Sequence, residues 1–297
     1  MKVSADSSPA EGFILPYGRA MAALLVTCLL QTACGSDSSE SSGAASSSHP
    51  AGATITAGTP ELELVAIGDS IPYNASYDCP DCTGFVDRYA EAVGAATGQP
   101  VHVLNLSDHT GLTLPGLLDE LDGYTDNLAE ADVIVVGIAH NSSELAADEP
   151  CGAPMDENDL PDWSKVDRAS ACADASAEKY RPQFEALFSQ IAALREGEPT
   201  ILRTINRYND WIGWDEANLG PEEDRTTKVI LDRWDAMLCA AAEENGFGCA
   251  DIYRAFNGPN GLEPSGDLLG ADYTHPSDKG NELIAETLVG LGFAPLA

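Results

Sequence analysis

Positive charge is scarce in this chain. Of 297 residues, 15 are Lys or Arg against 48 Asp or Glu, for a formal net charge of -33. A general binder of nucleic-acid backbones needs clustered cations to displace counterions, so the balance argues against that class. It argues equally against steering toward anionic lipid surfaces. Membrane-spanning runs are lacking too. Ala20–Leu30 is mostly apolar but, at eleven residues, too short to cross a bilayer as a helix. Histidine is rare: five in the whole chain, which leaves few candidates for a base near neutral pH. Metal-binding cysteine pairs are missing as well. Cys79-Pro-Asp-Cys82 has no second Cys-x-x-Cys and no closely spaced His pair to complete a zinc site. It also lacks the βαβ context of a thioredoxin-like redox motif.

What is present suits a folded core. Hydrophobic residues make up 44% and charged residues 21%, an ordinary globular balance. At about 150 residues per domain the length allows one large domain or two small ones. The apolar run at Ala20–Leu30, preceded by Arg19, reads as the core of an export signal within residues 1–34. The Gln31-Thr32-Ala33-Cys34-Gly35-Ser36 stretch that follows resembles a bacterial lipoprotein signal, which makes Cys34 a lipidation candidate. The other reading is a simple secretory signal cut near the same place. Residues 35–58 are rich in Ser, Gly, Ala and Thr without apolar periodicity, so they read as a flexible tether. The folded domain is then 59–297. Residues 1–33 carry Lys2 and Arg19 against Asp6 and Glu11, so the whole acidic excess belongs to the exported part. That excess suits solvation of a secreted or cell-surface protein and predicts a site that favours neutral over strongly anionic esters.

Six cysteines lie beyond the signal: Cys79, Cys82, Cys151, Cys172, Cys239 and Cys249. An even number in an exported chain implies disulfides, of undetermined connectivity. The expected pairs are the sequence-local ones, Cys79–Cys82, Cys151–Cys172 and Cys239–Cys249.

The domain alternates strand and helix patterns. Short apolar runs predict strands at 62–67, 101–106, 133–138, 200–205 and 249–252. Helical periodicity predicts helices at 85–97, 114–121, 177–194, 226–244 and 282–291. Residues 145–176 read as a surface insertion stapled by Cys151 and Cys172. Five strands separated by helices imply a mainly parallel sheet covered on both faces, an α/β class of three layers. In such sheets the site lies beyond the carboxyl ends of the strands.

Four stretches sit there. Gly68-Asp69-Ser70 follows the first strand and presents a serine hydroxyl on a tight turn, although Asp or Ser there also serves as a helix cap. Asp272-Tyr273-Thr274-His275-Pro276 precedes the last helix; the spacing lets the carboxylate orient the imidazole that a serine nucleophile needs. Asn105–Thr113 offers Gly111, whose backbone N–H could approach a substrate without an obstructing side chain. Ala139-His140-Asn141-Ser142 offers the Asn141 amide to a developing oxyanion. Of the other histidines, His49 lies in the tether and His102 in a strand. His109 and His140 lie in loops after strands and compete with His275.

Together these stretches, in this order, resemble the SGNH, or GDSL-type, serine hydrolases over residues 60–297. The sequence departs from that family's pattern twice: Asn105 and Gly111 are six apart rather than five, and the third block lacks its usual Gly-x-Asn-Asp. The resemblance implies a flavodoxin-like α/β/α sandwich with no metal or organic cofactor. It implies a triad of Ser70, His275 and Asp272, and an oxyanion hole formed by the backbone of Ser70 and Gly111 and the side chain of Asn141. The expected function is hydrolysis of carboxylic esters through an acyl-enzyme by an exported or lipid-anchored monomer. Its substrate would be a small-molecule, lipid or acetylated-glycan ester, with no nucleic-acid partner. Absence of a long apolar lid leans away from long acyl chains. The cluster Tyr208, Trp211 and Trp214 suits either stacking on a sugar or packing in the core. The rival readings are an O-acyltransferase using the same residues, and a non-catalytic surface lipoprotein that binds a glycan or partner.

Overall fold

The computed structural model describes residues 60–141, 150–155, 162–166, 171–212 and 221–297. The export signal, Cys34, the tether, Ser142 and Trp214 lie outside the described residues. Strands β1 (Leu62–Gly68), β2 (Val101–Asn105), β3 (Val133–Gly137), β4 (Ile201–Ile205) and β5 (Gly248–Ala250) form one sheet in the order β2-β1-β3-β4-β5. Every neighbouring pair is parallel. In β1, Val65 and Ile67 enter one core while Leu62, Leu64 and Ala66 enter the other. In β3, Ile134 and Val136 oppose Val133 and Val135 in the same way. A strand buried on both faces leaves little room for polar residues; the exception in β1, Glu63, is partly exposed and meets His102 of the edge strand β2.

Helices cover both faces, giving the three-layer α/β/α sandwich. On one side lie α3 (Leu114–Glu120), α4 (Thr125–Glu130), α5 (Ala171–Leu194) and α6 (Pro221–Glu244), which contribute Leu117, Leu128, Phe184 and Trp234. On the other lie α2 (Phe85–Thr97), α7 (Ile252–Asn257) and α8 (Asp278–Val289), which contribute Phe85, Tyr89, Phe256 and Ile284. Each such side chain, fully buried, contributes about 1.5–3 kcal/mol. A four-residue helix, α1 (Ser70–Tyr73), follows β1 directly.

Several boundaries differ from the sequence reading. Helices α5, α6 and α8 begin four to six residues earlier than apolar periodicity predicts: α6 and α8 open on polar turns, and α5 opens on small residues that pack in the insertion's core rather than the main one. Strand β5 stops at Ala250. Asp251 caps α7 by accepting from the Arg254 N–H, which draws Ile252 into a helix. The insertion is more than a surface loop: Cys151, Ala153, Trp163 and Val166 form a small core with Ala173 and Ile230. Disulfides join Cys79–Cys82, Cys151–Cys172 and Cys239–Cys249, the three sequence-local pairs. Among the described residues no helix is long and apolar enough to cross a membrane.

The chain leaves β1 to form β2 on one side and β3 on the other. Strand order therefore reverses at β1 and β3, and the carboxyl ends of these strands are where open α/β sheets place a ligand site.

Candidate active site

The turn after β1 is built around a glycine. Gly68 has φ +151°, and a Cβ there would lie 1.9 Å from the Gly137 carbonyl oxygen. This close approach lets the Asp69 N–H donate to that oxygen at 2.8 Å. The buried Asp69 carboxylate then accepts from the Ile71 N–H at 3.0 Å and the His140 N–H at 3.0 Å, with the Asn141 amide as a third donor. Burial lifts its pKa to about 6, against the pull of those three amides and the Arg207 charge. One carboxylate thus ties the turn carrying Ser70 to the turn carrying Asn141. The loop after β2 is tied in as well: the Asp108 N–H donates to the Gly68 carbonyl at 2.9 Å, and Asn105 donates to the Pro72 carbonyl at 2.6 Å. Gly111 lies in this loop, exposed, with φ +87° and open space where a Cβ would sit. The reason for glycine there is the left-handed backbone, not the clearance expected from sequence.

Asp272 and His275 come from a self-closed loop between β5 and α8. Leu269 and Pro276 form an antiparallel bridge, and the Gly270 N–H donates to the His275 carbonyl at 2.8 Å. Within it, Asp272 Oδ1 accepts from the Thr274 and His275 amides, and Asp272 Oδ2 lies 2.6 Å from His275 Nδ1. Partial burial would raise the Asp272 carboxyl, but the imidazole and the two amides outweigh it and hold it below the ordinary value. The loop is held from both sides. Buried Tyr208 donates to the Thr274 carbonyl at 2.6 Å. Buried Asn281 donates to the Pro276 carbonyl and to Asn74, which ends α1. Ser277 caps α8 through the Gly280 N–H, and a Cβ on Gly280 would meet the Leu268 carbonyl at 2.1 Å.

His275 Nε2 makes no hydrogen bond, so it is not bonded to Ser70 in this structure. It faces Asp78 Oδ2 at 3.6 Å. Unliganded catalytic contacts are often open in this way and close when substrate binds. Asp78 also holds His109, with Oδ2 2.7 Å from His109 Nε2. The His109 and His275 rings stack with centroids 5.5 Å apart. His109 therefore has a carboxylate partner that its local sequence does not reveal. His140 is different: burial, then the Arg207 charge and His275, push its pKa well below the ordinary value, so it is a neutral core residue. His102 is exposed and pairs with Glu63 on the edge of the sheet.

Of the aromatic cluster, Tyr208 is buried, stacking on Phe256 and against His140, while Trp211 packs on Trp163. This is core packing rather than an open sugar platform. Among the described residues the exposed tyrosine, tryptophan or phenylalanine rings are Tyr73, Tyr77 and Tyr273. Sequence reasoning missed Asp78 and Asn281, and it named Tyr208 only as a stacking or core ring, not as the donor to the Thr274 carbonyl. The neighbouring Cys79, which fixes the loop of Asp78, was the one local signal near any of them.

Comparison with known proteins agrees with this architecture. The structure is similar to the lipase Lip_vut3 from a goat rumen metagenome, at 20% identity and TM-score 0.61, over 80% of this chain and 100% of that one. It is similar to an acetyl xylan esterase from Geobacillus stearothermophilus, at 18% identity and TM-score 0.51, over 80% and 96%. A phospholipase A1 from Streptomyces albidoflavus aligns at 15% identity and TM-score 0.50, over 78% and 99%. No curated protein matches the chain in sequence. The pattern of one family does match, over residues 66–283: the chain belongs to the GDSL-like lipase/acylhydrolase family.

Proposed function

We propose that the protein is an exported serine esterase that hydrolyses carboxylic esters through an acyl-enzyme. The observation that carries this reading is the 2.6 Å contact between Asp272 and His275 in a loop bound, through Asn281, to the helix that begins with Ser70. Ser70 attacks the ester carbonyl carbon while His275 Nε2 takes its proton. Asp272 fixes the imidazole tautomer and stabilises the imidazolium. The tetrahedral oxyanion is received by the N–H groups of Ser70 and Gly111 and the Asn141 amide. His275 returns the proton to the leaving alcohol, and water, activated by the same base, releases the acid. Tyr73 lies three residues beyond Ser70 and Tyr273 two before His275, and both rings are exposed and available to a substrate. With the acidic surface, they favour a neutral ester borne on a ring, such as an acetylated sugar, over a long acyl chain.

The test is a set of p-nitrophenyl esters of increasing chain length, run beside acetylated xylan and fluorophosphonate labelling. Short esters and acetylated xylan should be cleaved, and Ser70→Ala should lose both cleavage and label. A Ser70→Ala protein with full esterase activity would overturn the assignment. A folded wild type that neither labels nor cleaves would favour the non-catalytic binder.

A further inference from the structure

We propose that Asp78, His109 and His275 form a divalent transition-metal site, best suited to zinc, whose occupation switches the esterase off. The three residues come from three separate loops. One ligand atom from each, all within 4.8 Å of one another, converges beside the catalytic base. Two imidazoles and one carboxylate are the donor set of open zinc sites, which keep a fourth position for water. Zinc bonds of about 2.0–2.2 Å in a tetrahedron place ligand atoms roughly 3.3 Å apart. Asp78 Oδ2 lies 2.7 Å from His109 Nε2 and 3.6 Å from His275 Nε2, on either side of that spacing. An ion would replace the proton shared by Asp78 and His109, opening one separation slightly and closing the other.

A second observation points the same way. Histidines that bind zinc usually give their far ring nitrogen to an oxygen partner, which fixes the ring and its tautomer. Both imidazoles already have one. His275 Nδ1 lies 2.6 Å from Asp272 Oδ2, and the Tyr77 hydroxyl lies 2.5 Å from His109 Nδ1 and 3.1 Å from His109 Nε2, so an ion on Nε2 would leave the hydroxyl to Nδ1. His275 Nε2, the atom left to face the ion, is shielded from solvent and has no hydrogen-bond partner. The Cys79–Cys82 disulfide adjoins Asp78 and limits how far its loop can drift.

The consequence for catalysis rests on the function proposed above. A metal on His275 Nε2 occupies the lone pair that must accept the Ser70 proton, so the bound form is inactive. The binding itself does not depend on that reading.

The experiment measures Zn²⁺ binding to the purified chain by competition with a chromogenic chelator, in excess Mg²⁺ to saturate surface carboxylates. Ester hydrolysis is followed in parallel. We expect one equivalent bound by wild type and by Ser70→Ala. His109→Gln and Asp78→Asn should each weaken binding at least tenfold, with unchanged circular dichroism. Hydrolysis by wild type should fall with the same midpoint as binding and return with chelator. In His109→Gln that midpoint should rise at least tenfold, relative to the variant's own metal-free rate. Stoichiometric binding by a wild type that hydrolyses no ester even without metal would support the metal site and remove the esterase reading. No stoichiometric binding, or an affinity unchanged in His109→Gln and Asp78→Asn, would overturn the proposal. So would full hydrolysis with zinc bound. If Asp78→Asn does not fold, His109→Gln decides alone.

Discussion

Two carboxylate–imidazole pairs stand side by side on this protein, at nearly the same distance. Asp272 lies 2.6 Å from His275, and Asp78 lies 2.7 Å from His109. What differs is how each is held. Asp272 is three residues from its histidine, accepts two backbone amides besides the ring, and sits in a loop pinned by buried Tyr208 and Asn281. Asp78 is separated from His109 by 31 residues, and the tyrosine that meets its histidine, Tyr77, is 69% exposed. A short contact alone therefore does not mark the catalytic pair. Catalysis needs an imidazole whose tautomer and direction are fixed before substrate arrives. The Asp272 loop meets that need through contacts within a single turn, whereas the Asp78 pair joins two loops far apart in the chain.

The most direct way to break this comparison is to neutralise each carboxylate. Asp272→Asn should lower kcat on the order of 10³–10⁴ by releasing the wrong tautomer. Asp78→Asn should cost no more than about tenfold, since Asp78 lies 3.6 Å from His275 Nε2 without a hydrogen bond and does not set the imidazole tautomer. Steady-state kinetics on p-nitrophenyl acetate decides. Equal losses would mean that both pairs serve the base.

The comparison also shows what the sequence could carry. Asp272 and His275 were legible because their partnership is local, closed by one turn. The sheet was legible because β3 is apolar throughout and β1 is interrupted only by Glu63 near its start. Asp78 was not legible, since nothing near it in the chain reports a partner that only the crossover from β1 to β2 brings close. Tyr208 was read with its aromatic neighbours as a stacking platform or as core. Composition cannot show that its hydroxyl reaches Thr274 across the fold. Helix starts were missed where the first turn is polar or packs outside the main core, and β5 was overrun because Asp251 ends it by capping α7.

The oxyanion donors sharpen the contrast next. Asn141→Ala should cost about 10²–10³ in kcat with little change in KM, as expected of a contact made mainly in the transition state. Zinc affinity should not move, because Asn141 belongs to the β3 turn and to neither pair. A fall in zinc affinity would show that the two regions are one mechanical unit.

A third carboxylate, Asp69, serves backbone amides rather than an imidazole, and its pH signature should run opposite to that of Asp272. Burial raises Asp69 from 3.8 to about 6. The native state then holds this proton more tightly than the unfolded chain. The stability it contributes is complete below about pH 4 and is lost as pH rises through about 6. The shift corresponds to roughly 3 kcal/mol. Asp272 is lowered, so its contribution is present above the ordinary carboxylate range and disappears on acidification. Thermal melts of wild type and Asp69→Asn should therefore differ in a way that declines from pH 4 to 6. The difference between wild type and Asp272→Asn should instead hold steady from pH 4 to 6 and shrink below about pH 4. A flat Asp69 difference would mean that its three amides fully offset burial.

The smallest effect tests the anchoring itself. Tyr208 and Tyr77 each direct a hydroxyl at one pair, one from the core and one from solvent. Tyr208→Phe keeps the ring that stacks on Phe256 and removes only the bond to the Thr274 carbonyl. The loss should be about 1 kcal/mol of stability. Because Thr274 adjoins His275, kcat should fall several-fold while KM stays near wild type. Tyr77→Phe removes an exposed contact, so the melting temperature should hold, and the change should appear as weaker zinc binding, since His109 loses the oxygen that fixes its tautomer. If Tyr208→Phe lowers the melting temperature but leaves kcat untouched, the tyrosine supports the fold and not the base. The rigidity of the Asp272 loop would then come from its own backbone hydrogen bonds and from Asn281.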